Sequence, residues 1–432
     1  MALFNRITTD FYKTTYILIY VIVGVFVINK DIIYYPDSYT FLDMAFNHSP
    51  VYCIFLYLLT AVFGDNFELP LILSQFGIIV LATRFFIKSL NKVFKIHSVG
   101  LLIIQLILMA PCVYLHFLCN SILTEAISYS LFLIIFSYAL KMFVEEKLSY
   151  IYKISLVLFF LVLTRGQFIA VVPVLVLTVG YLIFKDKSFA KNYKYLIILV
   201  ALPFITSLTE KVYNKIVFGH FVNNAMNYVH LISSPFYIAN EDDINLFDEE
   251  NEKTYFKLIY DSLYEAELTH DQNFSIETDD YKFYEHNFTK ICNKRVYKLG
   301  LEFFEEKGLD YYEQNIALNK LCSKMVFPLI KQNLKTWCIL FFKNLKNAFG
   351  SFKGLLMFLV LLGYGIFFLI KNNSTIYKFI VLAILFMLAN NALIALAVHS
   401  IKRYIFYFDW VIFVVLILFL NEILKNKRID EC

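Results

Sequence analysis

Long apolar runs, cut by short charged connections, recur along this chain and predict helices that cross a membrane. A crossing helix needs roughly 20 mostly apolar residues. Ten such segments lie near 11–29, 68–87, 98–115, 121–142, 150–164, 167–184, 193–209, 354–371, 375–398 and 402–424, the pieces of 150–184 being short. A further apolar run, Val51–Gly64, has 14 residues. As an eleventh span it would invert every later connection, so it reads as an interfacial or re-entrant helix. The first segment has weak basic flanks and no small-residue cleavage site, and is expected to be a retained helix.

One long hydrophilic block interrupts the pattern at 210–353. Its pieces 252–268, 281–299 and 312–329 carry apolar residues mostly at helical spacing, such as Tyr284, Phe288 and Ile291, with acidic loops at 241–252 and 269–280. No strong strand signal and no internal repeat is visible. The stretch 329–349 aligns Ile330, Leu334, Trp337, Phe341 and Leu345 on one face, with Lys331, Lys335, Lys343, Lys346 and Asn347 elsewhere. It reads as a helix lying in the membrane interface, its lysines either attracting phosphate-bearing lipid or serving as snorkelling anchors.

Composition agrees with this pattern. The chain is 59% hydrophobic and only 17% charged, with a mean hydropathy of +0.63. A soluble protein has no way to hide so much apolar surface, so the expected class is an all-α polytopic membrane protein. The net charge of +4 says little because the charges are sorted. Connections 84–97, 141–153, 185–194 and 371–378, and the tail with Lys425, Lys427 and Arg428, are basic and belong on the cytoplasmic side. The block 210–353 holds 21 of the 35 acidic residues, and the loop 30–50 is acidic; both suit the outer side. Ten spans then alternate with both termini cytoplasmic. The domains are a transmembrane module 1–209, an outer helical domain 210–353 and a second module 354–432. Of seven cysteines, Cys292 and Cys322 fall in the outer domain, either as a disulfide or as two unpaired thiols.

A charge at mid-membrane costs on the order of 2.5–3.5 kcal/mol, so ionisable groups clustered at span ends call for a reason. Four sets converge on the outer face in this topology: Asp37, Tyr39, Asp43 and His48; His116, Asn120, Thr124 and Glu125; Arg165; and His399, Lys402, Arg403 and Tyr404, with Asp409 further in. Carboxylates (Asp37, Glu125) opposite cations (Arg165, Lys402, Arg403) can take a proton from a hydroxyl nucleophile and hold a leaving phosphate. Each has a plainer reading beside this one. Asp37, after Pro36, is placed to cap a helix, Arg165 to end a short hairpin, and the histidines to be polar interface residues.

The stretches PDSYTFLDMA, LTEAISYSL, LTRGQFIAVVP and IKRYIFYF, in this order, resemble the GT-C superfamily of polytopic glycosyltransferases. That group includes protein O-mannosyltransferases, the aminoarabinose transferase of lipid A and serotype-converting O-antigen glucosyltransferases. The resemblance implies a polyprenyl-phosphate-linked sugar donor, a glycan, lipid or lipopolysaccharide acceptor, Asp37 as catalytic base, and phosphate binding by Arg165, Lys402 and Arg403. Read from the residues alone, Glu125 is a second candidate catalytic carboxylate, and Tyr39, Asp43 and Tyr404 are candidate substrate-binding residues. Some relatives need a divalent ion such as magnesium or manganese and others do not. The first loop has Asp–Ser where some mannosyltransferases have Asp–Glu, and the outer domain has no matching motif.

Two other readings stand beside this one: an O-antigen polymerase or ligase, and a transporter or flippase for lipid-linked saccharide. The latter usually shows inverted repeats and Gly- or Pro-broken helices, and neither is apparent here. No nucleic-acid partner is expected. Rich Phe, Tyr, Ile, Asn and Lys usage suggests an AT-rich genome and a bacterial inner membrane.

Overall fold

The computed structural model describes residues 2–114, 117–273 and 280–430, and within these leaves the side chains of 2–11, 13, 273 and 425–430 undescribed. His116, much of the 269–280 loop and the tail side chains Lys425, Lys427 and Arg428 therefore lie outside the described residues.

Helices occupy nearly all of the chain. They run α1 (Ala2–Ile28), α2 (Pro36–Leu42), α3 (Pro50–Phe63), α4 (Glu68–Phe94), α5 (Ser98–Val113), α6 (Glu125–Glu145), α7 (Tyr150–Thr164), α8 (Val171–Lys185) and α9 (Phe189–Phe218). Then follow α10 (Asn227–Ile238), α11 (Glu250–Glu265), α12 (His270–Asn273), α13 (Asp280–Ile291), α14 (Lys298–Glu305), α15 (Tyr311–Gln332) and α16 (Leu334–Ala348). The last are α17 (Phe352–Asn372), α18 (Thr375–Ala397), α19 (Lys402–Ile405) and α20 (Trp410–Asp430). Among the described residues there is no strand, only a single bridge between Ile33 and Ser121.

Seven helical stretches among the described residues are long and apolar enough to cross a membrane: Glu68–Phe94, Glu125–Glu145, Gly166–Lys185, Phe189–Phe218, Phe352–Asn372, Thr375–Ala397 and Lys402–Leu424. The other three expected spans fall on shorter apolar helices, Thr14–Ile28, Ser98–Val113 and Tyr150–Thr164. The Val51–Gly64 run falls on the 14-residue α3, which Pro50 opens and Gly64, at φ 56°, caps.

Two compact units divide the chain. The first comprises Met1–Thr206, Phe358–Ala389 and Phe406–Cys432; the second comprises Ser207–Met357 and Asn390–Ile405. The sequence reading cut the chain at 209/210 and 353/354 and had no signal for the distant segment Asn390–Ile405. That segment joins through polar contacts. Asn344 Nδ2 donates to the carbonyls of Ala395 (2.9 Å) and Val398 (2.6 Å), and the Ser400 amide donates to Asn344 Oδ1 (2.9 Å) and Tyr281 Oη (3.1 Å).

In the first unit α6 is the central element, with 72% of its apolar window buried. Aromatic rings interlock around it. Phe132 meets Phe408 at 4.8 Å, and Trp410 sits 4.9 Å from Phe86 and 5.1 Å from Phe136. Edge-to-face pairs of this kind add about 0.5–1.5 kcal/mol each beyond their buried area. The helix is pinned by charge at both ends, and one end is its last turn. There Glu146 Oε1 accepts from Lys185 Nζ (2.5 Å) and from the buried Lys378 Nζ (2.7 Å), and Glu145 pairs with Lys92 at 3.0 Å. Burial works to raise the Glu146 carboxyl, but the two lysines outweigh it and hold it at about 2. These contacts gather the connections 84–97, 141–153, 185–194 and 371–378 at one end of the unit.

The second unit is a helical domain around Phe236, Tyr255, Phe256, Ile259, Phe288, Leu318 and Met325, all buried. The expected helix 281–299 is longer than its periodicity indicates, because a π-helical turn at Cys292–Tyr297 joins α13 to α14. Cys292 and Cys322 are both buried free thiols rather than a disulfide, and burial pushes each up to about 12.

Candidate functional site

Glu125 opens α6, and its side chain is only 3% exposed. Such a burial is tolerable only with a partner. Arg165 supplies it, its Nη1 lying 2.7 Å from Glu125 Oε1. The same Nη1 donates to Thr124 Oγ1 at 3.0 Å, and Nε donates to Gln167 Oε1 at 2.6 Å. Thr124 in turn donates to Glu125 Oε2 at 3.4 Å, and the guanidinium carbon sits 5.9 Å from the Tyr407 ring. Arg165 is therefore more than the end of a hairpin. The chain is extended there (φ −154°, ψ 108°), between the end of α7 and the turn Gly166–Ala170. Sequence reasoning singled out Glu125, Thr124 and Arg165 separately; it missed Gln167 and Tyr407, which no spacing rule links to them.

Asp37 lies in the first turn of α2, half-exposed. The capping reading of this residue does not hold. Tyr35 is the N-cap, Pro36 takes the first helical position where its missing N–H costs nothing, and the capping hydroxyl belongs to Ser38. Ser38 Oγ accepts from the Tyr35 amide at 2.9 Å and donates to the Ile122 carbonyl at 3.0 Å. The Ile33 amide donates to the Asn120 carbonyl (2.7 Å), and the Asn120 side chain donates to the carbonyls of Val27 and Lys30. Beneath α2, Phe41, Tyr52 and Leu56 pack with Ile122, Leu123 and Ile127. The loop carrying Asp37 is thus fastened to the segment that leads into Glu125.

The other members of the first set line the surface of α2. Tyr39 is exposed and stacks on Tyr34 with centroids 5.6 Å apart; Asp43 is the exposed C-cap. His48 Nε2 is 2.7 Å from Thr40 Oγ1, and its ring lies 4.0 Å from Phe41. The histidine reads as a packed polar residue that closes the loop.

Lys402, Arg403 and Tyr404 form the four-residue α19, part of the second unit, whereas Asp37, Glu125 and Arg165 belong to the first. The stretch Lys402–Leu424 is not one regular helix from its start. A 3-10 turn at Phe406–Phe408 follows α19, and regular helix resumes at Trp410 after the exposed Asp409. Asn390 Nδ2 donates to the Tyr404 carbonyl at 3.4 Å. His399 is mostly buried, its ring 4.1 Å from Phe288. Burial, and secondarily His230, push it down to about 4, so it is neutral at pH 7.

Among the described residues no group of three or more His, Cys, Asp or Glu side chains converges in a metal-holding arrangement.

Fold and site define a chain that, among its described residues, is helical and carries seven helices of membrane length. It buries a carboxylate–guanidinium pair at one end of its central helix and fastens a half-exposed carboxylate to the segment before it. Compared with known protein families, curated proteins and solved structures, the chain matches none.

Proposed function

We propose that this chain is an integral membrane glycosyltransferase of GT-C type. It moves a sugar from a polyprenyl-phosphate donor to a glycan, lipid or lipopolysaccharide acceptor at the outer face of a bacterial inner membrane. Asp37 takes the proton of the acceptor hydroxyl as its oxygen attacks the anomeric carbon. The bond from that carbon to the phosphate oxygen breaks, the phosphate leaves with the electron pair, and a single displacement inverts the sugar. Arg165 offers a guanidinium to the phosphate. Glu125, committed to Arg165, is a positioning residue in this scheme and not a second base. Tyr39 and Asp43, on the same loop as Asp37, bind substrate.

The observation that carries the reading is the fastening of Asp37, through Ser38 and Ile122, to the segment that ends in the Glu125–Arg165 pair. Ten spans, both termini cytoplasmic and residues 210–353 facing outward complete it. That topology is supported by the meeting of four basic connections at one end of the first unit.

Asp37→Asn tests the chemistry. The variant keeps shape and hydrogen bonding but cannot accept the proton, so transfer by purified protein should slow at least about a hundredfold with donor binding retained. If the role of Asp37 is structural, asparagine, nearly the same size and still able to hydrogen-bond, leaves turnover near wild type. That outcome would move the base to Asp43.

A further inference from the structure

Helix α16 presents two unlike faces. Leu340, Asn344 and Ala348, one turn apart, are buried against the second unit, with Asn344 bonded to two backbone carbonyls. Lys343, expected with the other lysines to meet lipid, instead pairs with Asp280 inside the unit. What remains outward is apolar. Leu334, Ile339 and Phe342 are 51%, 45% and 63% exposed. Around them Lys331 and Lys335 are exposed and Lys346 is half-exposed.

Two further features say what covers this face. No Asp or Glu occurs between Glu313 and Asp409, so the helix and its surroundings in sequence carry only positive charge. Three residues, 349–351, separate α16 from α17, which is long and apolar enough to cross a bilayer and has only 17% of its apolar window buried. Such a connection reaches at most roughly 14 Å, so the end of α16 stays within that distance of a membrane-length helix. Exposed apolar side chains flanked by lysines next to such a helix match a segment lying in the headgroup region, its apolar face sunk roughly 5–10 Å and its ammonium groups at the level of lipid phosphates.

We infer that the outward face of α16 is a docking surface for an anionic phospholipid bilayer, with Leu334, Ile339 and Phe342 in the acyl boundary and Lys331, Lys335 and Lys346 on the phosphates. This inference holds whatever reaction the chain catalyses. The test uses the full chain in bilayers mixing phosphatidylcholine and phosphatidylglycerol. A bimane label is placed at Phe342→Cys or, separately, Ile339→Cys, with Cys338 and Cys432 changed to serine. Brominated lipid of either headgroup should quench both labels, and brominated phosphatidylglycerol more strongly than phosphatidylcholine. Replacing Lys331, Lys335 and Lys346 by glutamine should lower that preference by roughly fivefold per lysine, whereas Lys257→Gln, elsewhere in the unit, should leave it unchanged. Labels left unquenched, whether water or a second copy of the chain covers the face, overturn the inference. Quenching equal for both headgroups, or a preference that survives the triple replacement, overturns the anionic part.

Discussion

Two carboxylates open helices in the two units and are buried, yet they are wired in opposite senses. In the first unit the hub is a cation: Arg165 reaches Glu125, Thr124 and Gln167 from one guanidinium. In the second the hub is the anion. Asp280 accepts from Lys343, from the Tyr281 amide at 2.9 Å and, at 3.5 Å, faces His270. Burial works to raise the Asp280 carboxyl, but His270 and Lys343 outweigh it and hold it at about 2. A carboxylate surrounded by donors repels a phosphate and serves as a lock. A guanidinium hub can exchange partners for a phosphate, because its fork suits carboxylate and phosphate alike. The proposed chemistry therefore belongs to the first pair, and the second is architecture.

Breaking the first pair should have the larger effect. Arg165→Ala leaves Glu125 buried without its cation, and removing one partner of such a pair costs about 3–5 kcal/mol. Hydrogen exchange in bilayers should show α6 opening more readily, with sugar transfer lost. Replacing both partners by Glu125→Gln and Arg165→Met should recover much of the stability and none of the transfer. Recovery of transfer in that double variant would reduce the pair to a structural element.

Asp280→Asn sharpens the contrast from the other side. It should cost about 2 kcal/mol, the scale of a charged hydrogen bond, seen as faster exchange in α13 and α16. Transfer per folded molecule should stay unchanged. The acid limb follows from the same group. A carboxyl lowered from 3.8 to about 2 stabilises the fold above its unfolded value, and that contribution is lost as pH falls through 3.8 toward 2. A loss of transfer in Asp280→Asn at full stability would place chemistry in the second unit.

The smallest effect concerns His399, whose depressed value gives the same sign in a higher window. The unfolded chain binds this proton near 6.5 and the folded one only near 4, so stability falls as pH drops between these values. At pH 5.5 the loss should be about 1 kcal/mol. His399→Phe, which keeps the ring against Phe288, should flatten that slope in a denaturation series from pH 7 to 5. An unaltered slope would mean another group titrates.

Much of this protein is determined by local chemistry and is legible along the chain. Apolar runs must become helices where backbone groups have no water to bond, and the expected spans fall on helical segments, seven of them, among the described residues, long and apolar enough to cross a membrane. Glu125 stands out from sequence alone because a carboxylate in the run NSILTEAISYSLFLIIF is expensive there. Lys343 shows where local reasoning stops. By spacing it is one more lysine on an amphipathic helix; in the fold it is the partner of Asp280, 63 residues away. Ser38 likewise takes the capping role that was the plainer alternative for Asp37, because its hydroxyl reaches both the Tyr35 amide and the Ile122 carbonyl. Only the tertiary structure decided that Arg165 meets Glu125, that Tyr407 lies beneath them, and that Asn390–Ile405 joins the second unit. Each depends on pairing between residues distant in the chain. A hydropathy pattern sets which side chains are buried, whereas a hydrogen bond needs a direction and a distance that only the packed helices supply.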